Sequence, residues 1–260
     1  MSYADLLEDE TVKSNYLAIL KPRRRVTDFA VFSGSVYSVS FDYGDVTSVY
    51  VDGVALTEAF TTSLSAGQYY WDYDNQTLYV RTSTSGNPNS VSTIVTYAIY
   101  VSTFDAHFYA DPLDDSSRVV YYEPHIVKSP EIKETNSDSF FGFLPSQSSS
   151  ITLNNAEHVY EKHLYDSSFN RADIYVYHWL DELEVANIKL VYSGNMSDVS
   201  YDQNKISIKT YDPNKYLDEE FRNPDGDNFY SYDTFPSLNP SSFSKPIRQI
   251  YGRVDGFIPV

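Results

Sequence analysis

Residues 149–213 read SSITLNNAEHVYEKHLYDSSFNRADIYVYHWLDELEVANIKLVYSGNMSDVSYDQNKISIKTYDP, and this stretch decides the fold. A short strand, Ile151-Thr152-Leu153, runs into Asn154-Asn155, residues whose side-chain oxygens suit a helix N-cap. The spacing predicts a short helix over 156–164, broken by the polar run 166–170. Three strand-like runs follow, at 173–179, 188–192 and 205–211. The first and third alternate apolar with polar residues, the period of a strand covered on one face. Ser193-Gly194-Asn195 has the composition of a turn, where φ > 0 is cheap.

Composition widens this into a class. The chain has 260 residues, 25 Tyr and 15 Phe. Tyr, Phe, Val, Ile and Thr fit half-buried pleated surfaces, so the expectation is a mainly β protein with one or two short helices. A tyrosine surplus also suits contact surfaces, because the ring buries area while its hydroxyl stays hydrogen-bonded; the plainer reading puts those rings on exposed sheet faces. The formal charge is −17, with 15 acidic and 7 basic side chains in residues 1–120 and 21 and 12 in the remainder. Such a chain has little general affinity for nucleic-acid backbones. Cysteine is absent, which removes disulfides and thiolate metal sites. The acidic start MSYADLLEDE has no apolar core of a secretory signal. The apolar-leaning run 94–104 is too short and polar to span a bilayer, so no membrane insertion is expected of this segment.

Outward along the chain, residues 2–10 suit a two-turn helix or an arm that orders on a partner. A strand at 15–20 ends at Lys21-Pro22. Asp52-Gly53, set between Val49-Tyr50-Val51 and Val54-Ala55-Leu56, predicts a hairpin with a type I′ turn. A second hairpin joins 69–73 to 77–82 through Asp74-Asn75-Gln76, and 91–100 reads as a further strand. The expected organisation is an N-terminal arm and strand (1–28), a β-sandwich or hairpin unit (29–110) and a β-barrel region (111–260). In an alternative arrangement, 29–104 is inserted into one barrel whose first strand is 15–20.

The order of elements resembles the baseplate hub and tail-tip proteins of tailed bacteriophages. The resemblance is carried by residues 150–155 (SITLNN), 171–177 (RADIYVY), 188–194 (IKLVYSG) and 206–212 (ISIKTYD), flanked by 119–130 (VVYYEPHIVKSP) with Phe140-Phe141-Gly142 and by 245–260 (KPIRQIYGRVDGFIPV). It covers about 118–260, and the order of the motifs carries it rather than any one of them. Ala156-Glu157 stands where the family often has Asp-Gly. The resemblance implies a tail-tube-like hub barrel in the N-terminal region of a hub protein, or a short relative of one. It also implies a virion location at the tail tip or baseplate after synthesis in the host cytoplasm, and a ring of copies, three by analogy. The implied partners are the distal tail protein, the tape-measure protein, and tip or fibre proteins, with DNA as passing cargo. Neither catalysis nor a cofactor is implied.

Several clusters are candidates for contact. Arg23-Arg24-Arg25, beside Lys21, is the one dense positive patch and suits bidentate pairing with an acidic neighbour; the plainer reading is a solvated strand start. Residues 173–179 put Tyr175, Tyr177 and Trp179 on one face and Ile174, Val176 and His178 on the other. Both faces are apolar, so one is expected to need a helix or a neighbouring subunit, and the short helix at 156–164 cannot cover a whole sheet. In a rival reading, the chain is a carbohydrate-binding β-sandwich, a receptor- or cell-wall-binding module whose sugar platform is Tyr69, Tyr70, Trp71 and Tyr73. Asp72-Tyr73-Asp74-Asn75 and Asp225-Gly226-Asp227-Asn228 resemble fragments of Ca²⁺ loops but lack the full ligand series. His107, His125, His158, His163 and His178 have no metal-helix spacing. Acid pairs such as Asp181-Glu182 and Asp218-Glu219 are expected by chance in so acidic a chain. No metal or catalytic residue is assigned.

Overall fold

Strand β1 (Ser14–Arg25) sets the plan, because both of its edges are paired. Its apolar stretch YLAIL is continuous rather than alternating, the pattern of a strand covered on both faces. Ala18 and Leu20 enter one core, while Leu17 and Ile19 enter another. Chain order then gives β2 (Ala30–Ser33), β3 (Val36–Ser40), β4 (Asp45–Val51), β5 (Val54–Ala55), β6 (Thr57–Glu58), β7 (Gln68–Asp72) and β8 (Thr77–Arg81). A 3-10 turn at Pro88–Ser90, capped by Asn87, leads into β9 (Thr93–Ser102). The second half holds β10 (Ala106–Tyr109), β11 (Val119–Tyr122), β12 (Ile126–Asn136), β13 (Pro145–Asn154), helix α1 (Glu161–Asp166), β14 (Ser168–Leu180), β15 (Lys189–Tyr201) and β16 (Lys205–Tyr211). The computed structural model describes residues 14–114, 118–136, 145–180, 188–202 and 204–211. The expected helix at 2–10, the motif at 245–260 and the acid pairs at 181–182 and 218–219 lie outside them.

The protein is mainly β. A nine-stranded sheet runs in the order β12-β13-β16-β15-β14-β1-β9-β4-β5, and a five-stranded sheet runs β2-β3-β8-β7-β6. The second packs on the inner face of β4 and β9. There Trp71, Leu78 and Val80 meet Val49, Val95 and Tyr97 in one core that continues to Ile151, Ile174 and Ile206. Both hairpins form at the expected turns. Asp52 and Gly53 have φ of 48° and 79°, the two left-handed residues of a type I′ turn. Gln76, ending the second turn, has φ of 46°.

The nine-stranded sheet is not closed into a barrel among the described residues. It does curl strongly. β12 comes within 8 Å of β1, Cα to Cα, and Glu123 ahead of β12 forms a parallel bridge with Val101 of β9. Ser102 N donates to Glu123 O at 2.7 Å, and Glu123 N donates to Tyr100 O at 3.1 Å. Register shifts at Lys21/Arg23, Val176/Tyr177 and Met196/Asp198 supply the extra twist, as bulges do.

Three local expectations are corrected. The helix spans Glu161–Asp166 instead of 156–164, and its N-cap position is Tyr160, without a side-chain cap bond. Asn155 Oδ1 instead accepts from Tyr160 N at 3.2 Å, Asn154 Oδ1 accepts from Ala156 N at 3.2 Å, and His158 has φ of 58°, which helix cannot accommodate. Residues 193–195 lie within β15 and are not a turn. Gly194 is needed for close approach: a Cβ there would collide with the Tyr192 hydroxyl and sit 2.6 Å from Tyr211 O. Finally, β1 continues past Pro22 to Arg25, with Pro22 at the bulge, where a missing N–H is tolerated.

Candidate protein-contact surface

The arginine triplet lies on β1, where successive side chains point to opposite faces. Arg23 pairs across to Thr96 and Arg25 to Ile94, with Lys21 on the same outer face; Arg23 and Arg25 are exposed. Among the described residues neither makes an ion pair, whereas the Lys21 ammonium lies over the Tyr175 ring at 4.8 Å. The triplet is therefore split, and only its outer members face solvent.

Arg24 turns inward to a polar cluster that fastens α1 to the sandwich. Its guanidinium lies 3.5 Å from the centroid of Tyr43, and Nη1 is 3.4 Å from Asp166 Oδ2. The Tyr43 hydroxyl donates to that same carboxylate. Lys162 also lies over this ring, 4.8 Å from the centroid, and donates to Asp42 O at 2.6 Å and Asp42 Oδ2 at 3.1 Å. Its hydrogen bond holds the Asp42 carboxyl below the usual carboxylate range. Beneath sits His163, 7 % exposed, with Nδ1 at 2.9 Å from the Tyr97 hydroxyl. Burial, with help from the nearby Lys162 charge, lowers His163 to about 4, and burial pushes Tyr97 up to about 12. Both groups are thus neutral at neutral pH. The cluster ties β1, the segment after β3 and α1 together.

The expectation that β14 leaves an apolar face for a neighbour is corrected. The hairpin β10–β11 covers that face within the same chain. Tyr177 is 2 % exposed and donates to Asp111 Oδ1 at 3.1 Å. Trp179 stacks on Phe104 at 5.0 Å and meets Phe108 edge-on at 5.2 Å. Only Tyr175 and Trp179 keep partial exposure. The sequence reading missed the cover because Ala106, Phe108, Val120 and Tyr122 lie either side of a Pro-containing polar segment; their two-residue spacing was the available signal.

The sugar-platform residues separate in the same way. Tyr69 and Trp71 are each 3 % exposed, inside the core, and cannot stack on a sugar. Tyr73 lies under the Arg118 guanidinium at 3.7 Å. Tyr70 faces outward and stacks on Tyr79 at 5.9 Å, and exposed Phe32 meets Tyr79 edge-on at 4.8 Å. The aromatic row on this sheet is therefore Phe32–Tyr79–Tyr70. Period-two alternation of β7 and β8 was the signal that distinguishes these rings from the buried ones.

Asp72 serves its turn, accepting from Asn75 N at 3.2 Å and Asn75 Nδ2 at 2.9 Å. Among the described residues no group of three or more His, Asp or Glu side chains gathers to hold a metal ion. Likewise, no described helix is long and apolar enough to cross a membrane. Comparison with family models, curated proteins and solved structures gives no match.

Proposed function

We propose that this chain is a structural protein of a bacteriophage tail, a baseplate hub or tail-tip component. In this role a barrel built on the nine-stranded sheet closes the end of the tail tube. The observation that carries the reading is the position of the four motifs. They fall on β13, β14, β15 and β16, which are neighbours in one sheet in the order β13-β16-β15-β14. Long strands in a curled sheet, with the Glu123–Val101 bridge linking β9 to the lead-in of β12, favour a barrel completed in the assembled state. In the tail, copies form a ring, three by resemblance. They meet the distal tail protein above and tip or fibre proteins outside, and open for tape-measure protein and DNA. The ring rests on the resemblance, since β10–β11 covers the apolar face of β14. No step of this role requires catalysis or a cofactor.

Antibody labelling of tailed particles that encode this chain, viewed by electron microscopy, tests the proposal. Label at the tail end in every particle is expected; label on the capsid, or none, would refute it. The second reading, a carbohydrate-binding module, is favoured by the exposed row Phe32–Tyr79–Tyr70. A glycan array separates the two: a hub gives no signal, while a lectin-like module gives one that Tyr79→Ala removes.

A further inference from the structure

Two guanidinium groups stand uncompensated on the outer face of β1. Arg23 and Arg25 are exposed and make no ion pair among the described residues, in a chain of formal charge −17. Asp166, Asp173 and Asp45, on the adjoining elements, are engaged elsewhere. Asp166 holds Arg24 on the inner side, Asp173, opposite Lys21, accepts from Asn195 Nδ2 at 2.8 Å, and Asp45 pairs with Arg118. Arg25 is level with Ile94 and Arg23 with Thr96 on β9, and Ile94 is level in turn with Tyr50 on β4. Register partners share a face, so the two charged forks stand beside an apolar patch made by Ile94 and Tyr50. The Tyr50 ring is 36 % exposed, on the side opposite the buried Val49 and Val51.

We propose that this strip is a docking site for an acidic, extended segment of a partner protein. Residues two apart on a strand repeat at about 7 Å, and carboxylates at alternate positions of an extended segment repeat at the same spacing. Each fork therefore takes one carboxylate in a bidentate pair. An apolar side chain of the segment rests on Tyr50 and Ile94, which gives the arginine and aromatic composition of an interface centre. A nucleic acid fits less well. Its binders spread phosphate contacts over a broad basic face, whereas here two arginines stand in a strongly acidic chain. The site belongs to a single folded copy, so it does not depend on the tail reading and is tested in solution without particles.

The experiment is fluorescence anisotropy of a synthetic peptide that alternates Glu with Thr, ends in Leu and carries an uncharged dye. It is titrated with the full chain at about 50 mM and about 500 mM salt. Binding at low salt is expected, weakened about tenfold at high salt, and a peptide with Gln in place of Glu gives none. Arg23→Gln with Arg25→Gln removes binding. Arg23→Lys with Arg25→Lys keeps the charge but loses the forks, and weakens binding about tenfold. Tyr50→Ser weakens it less, and Lys205→Gln, on the β15–β16 turn, leaves it unchanged. All these side chains are exposed, and melting curves establish that the variants fold. An acidic peptide that fails to bind, binding indifferent to the arginine substitutions, or a lysine variant that binds as the parent does would overturn the site. So would duplex DNA that displaces the peptide, which would assign the strip to nucleic acid. Self-association that the arginine substitutions abolish would overturn it too, by giving the strip to a second copy.

Discussion

At His163 the imidazole is buried and shares a hydrogen bond with Tyr97, and its affinity for a proton is lowered to about 4. In the unfolded chain it returns to the ordinary histidine value near 6.5. Between these values the unfolded state binds more protons than the folded one, so stability falls as pH drops from about 6.5 to about 4 and levels off below. The loss from this residue is on the order of 3 kcal/mol across that window. His163→Leu should flatten the dependence of melting temperature on pH between 6.5 and 5, above the range where carboxylates dominate; an unchanged slope would mean that the ring is not held neutral. His178, also lowered by burial, contributes in the same direction. A glycine gives a second test. Gly194→Val would press two methyl groups toward the Tyr192 hydroxyl and the β16 backbone, costing about 1–3 kcal/mol by overpacking. Chemical denaturation would read that loss, and a neutral result would mean that β15 and β16 do not approach as closely as described.

Among the elements, the β10–β11 hairpin has the clearest packing role, since it shields one face of β1 and β14. Phe108 lies between Trp179 and Tyr122 there. Phe108→Ala should cost about 3 kcal/mol, and Trp179 emission should shift to the red as water reaches the indole. A stable variant with unchanged fluorescence would mean that the hairpin does not cover that face. At the β4–β5 turn, Gly53→Val places a branched side chain at φ of 79°, for a strain of about 1–3 kcal/mol. These elements also show what is legible in sequence. Asp52-Gly53 could be read because its turn type demands left-handed residues, and the β16 strand because its alternation is strict. Gly194 could not, since a glycine required by a neighbouring tyrosine looks like a glycine required by a turn. Nor could the helix start be read at Asn155, whose amide is equally suited to a cap and to the loop bond it makes with Tyr160 N. Tyr69 and Trp71 stand in a run of aromatics that all suit a sugar platform, and it is the alternation along β7 and β8 that separates inward members from outward ones.

For the molecule as a whole, the sheet order bears on one question, whether copies complete each other around an axis. Curling of the nine-stranded sheet brings β12 toward β1 without a continuous ladder. The most direct test is electron cryomicroscopy of the tail end of particles encoding this chain, with symmetry determined from the images. A closed ring of copies around the axial channel, with β13–β16 in the ring wall, is the expected result. A single copy per tail, or copies without contact to one another, would contradict it.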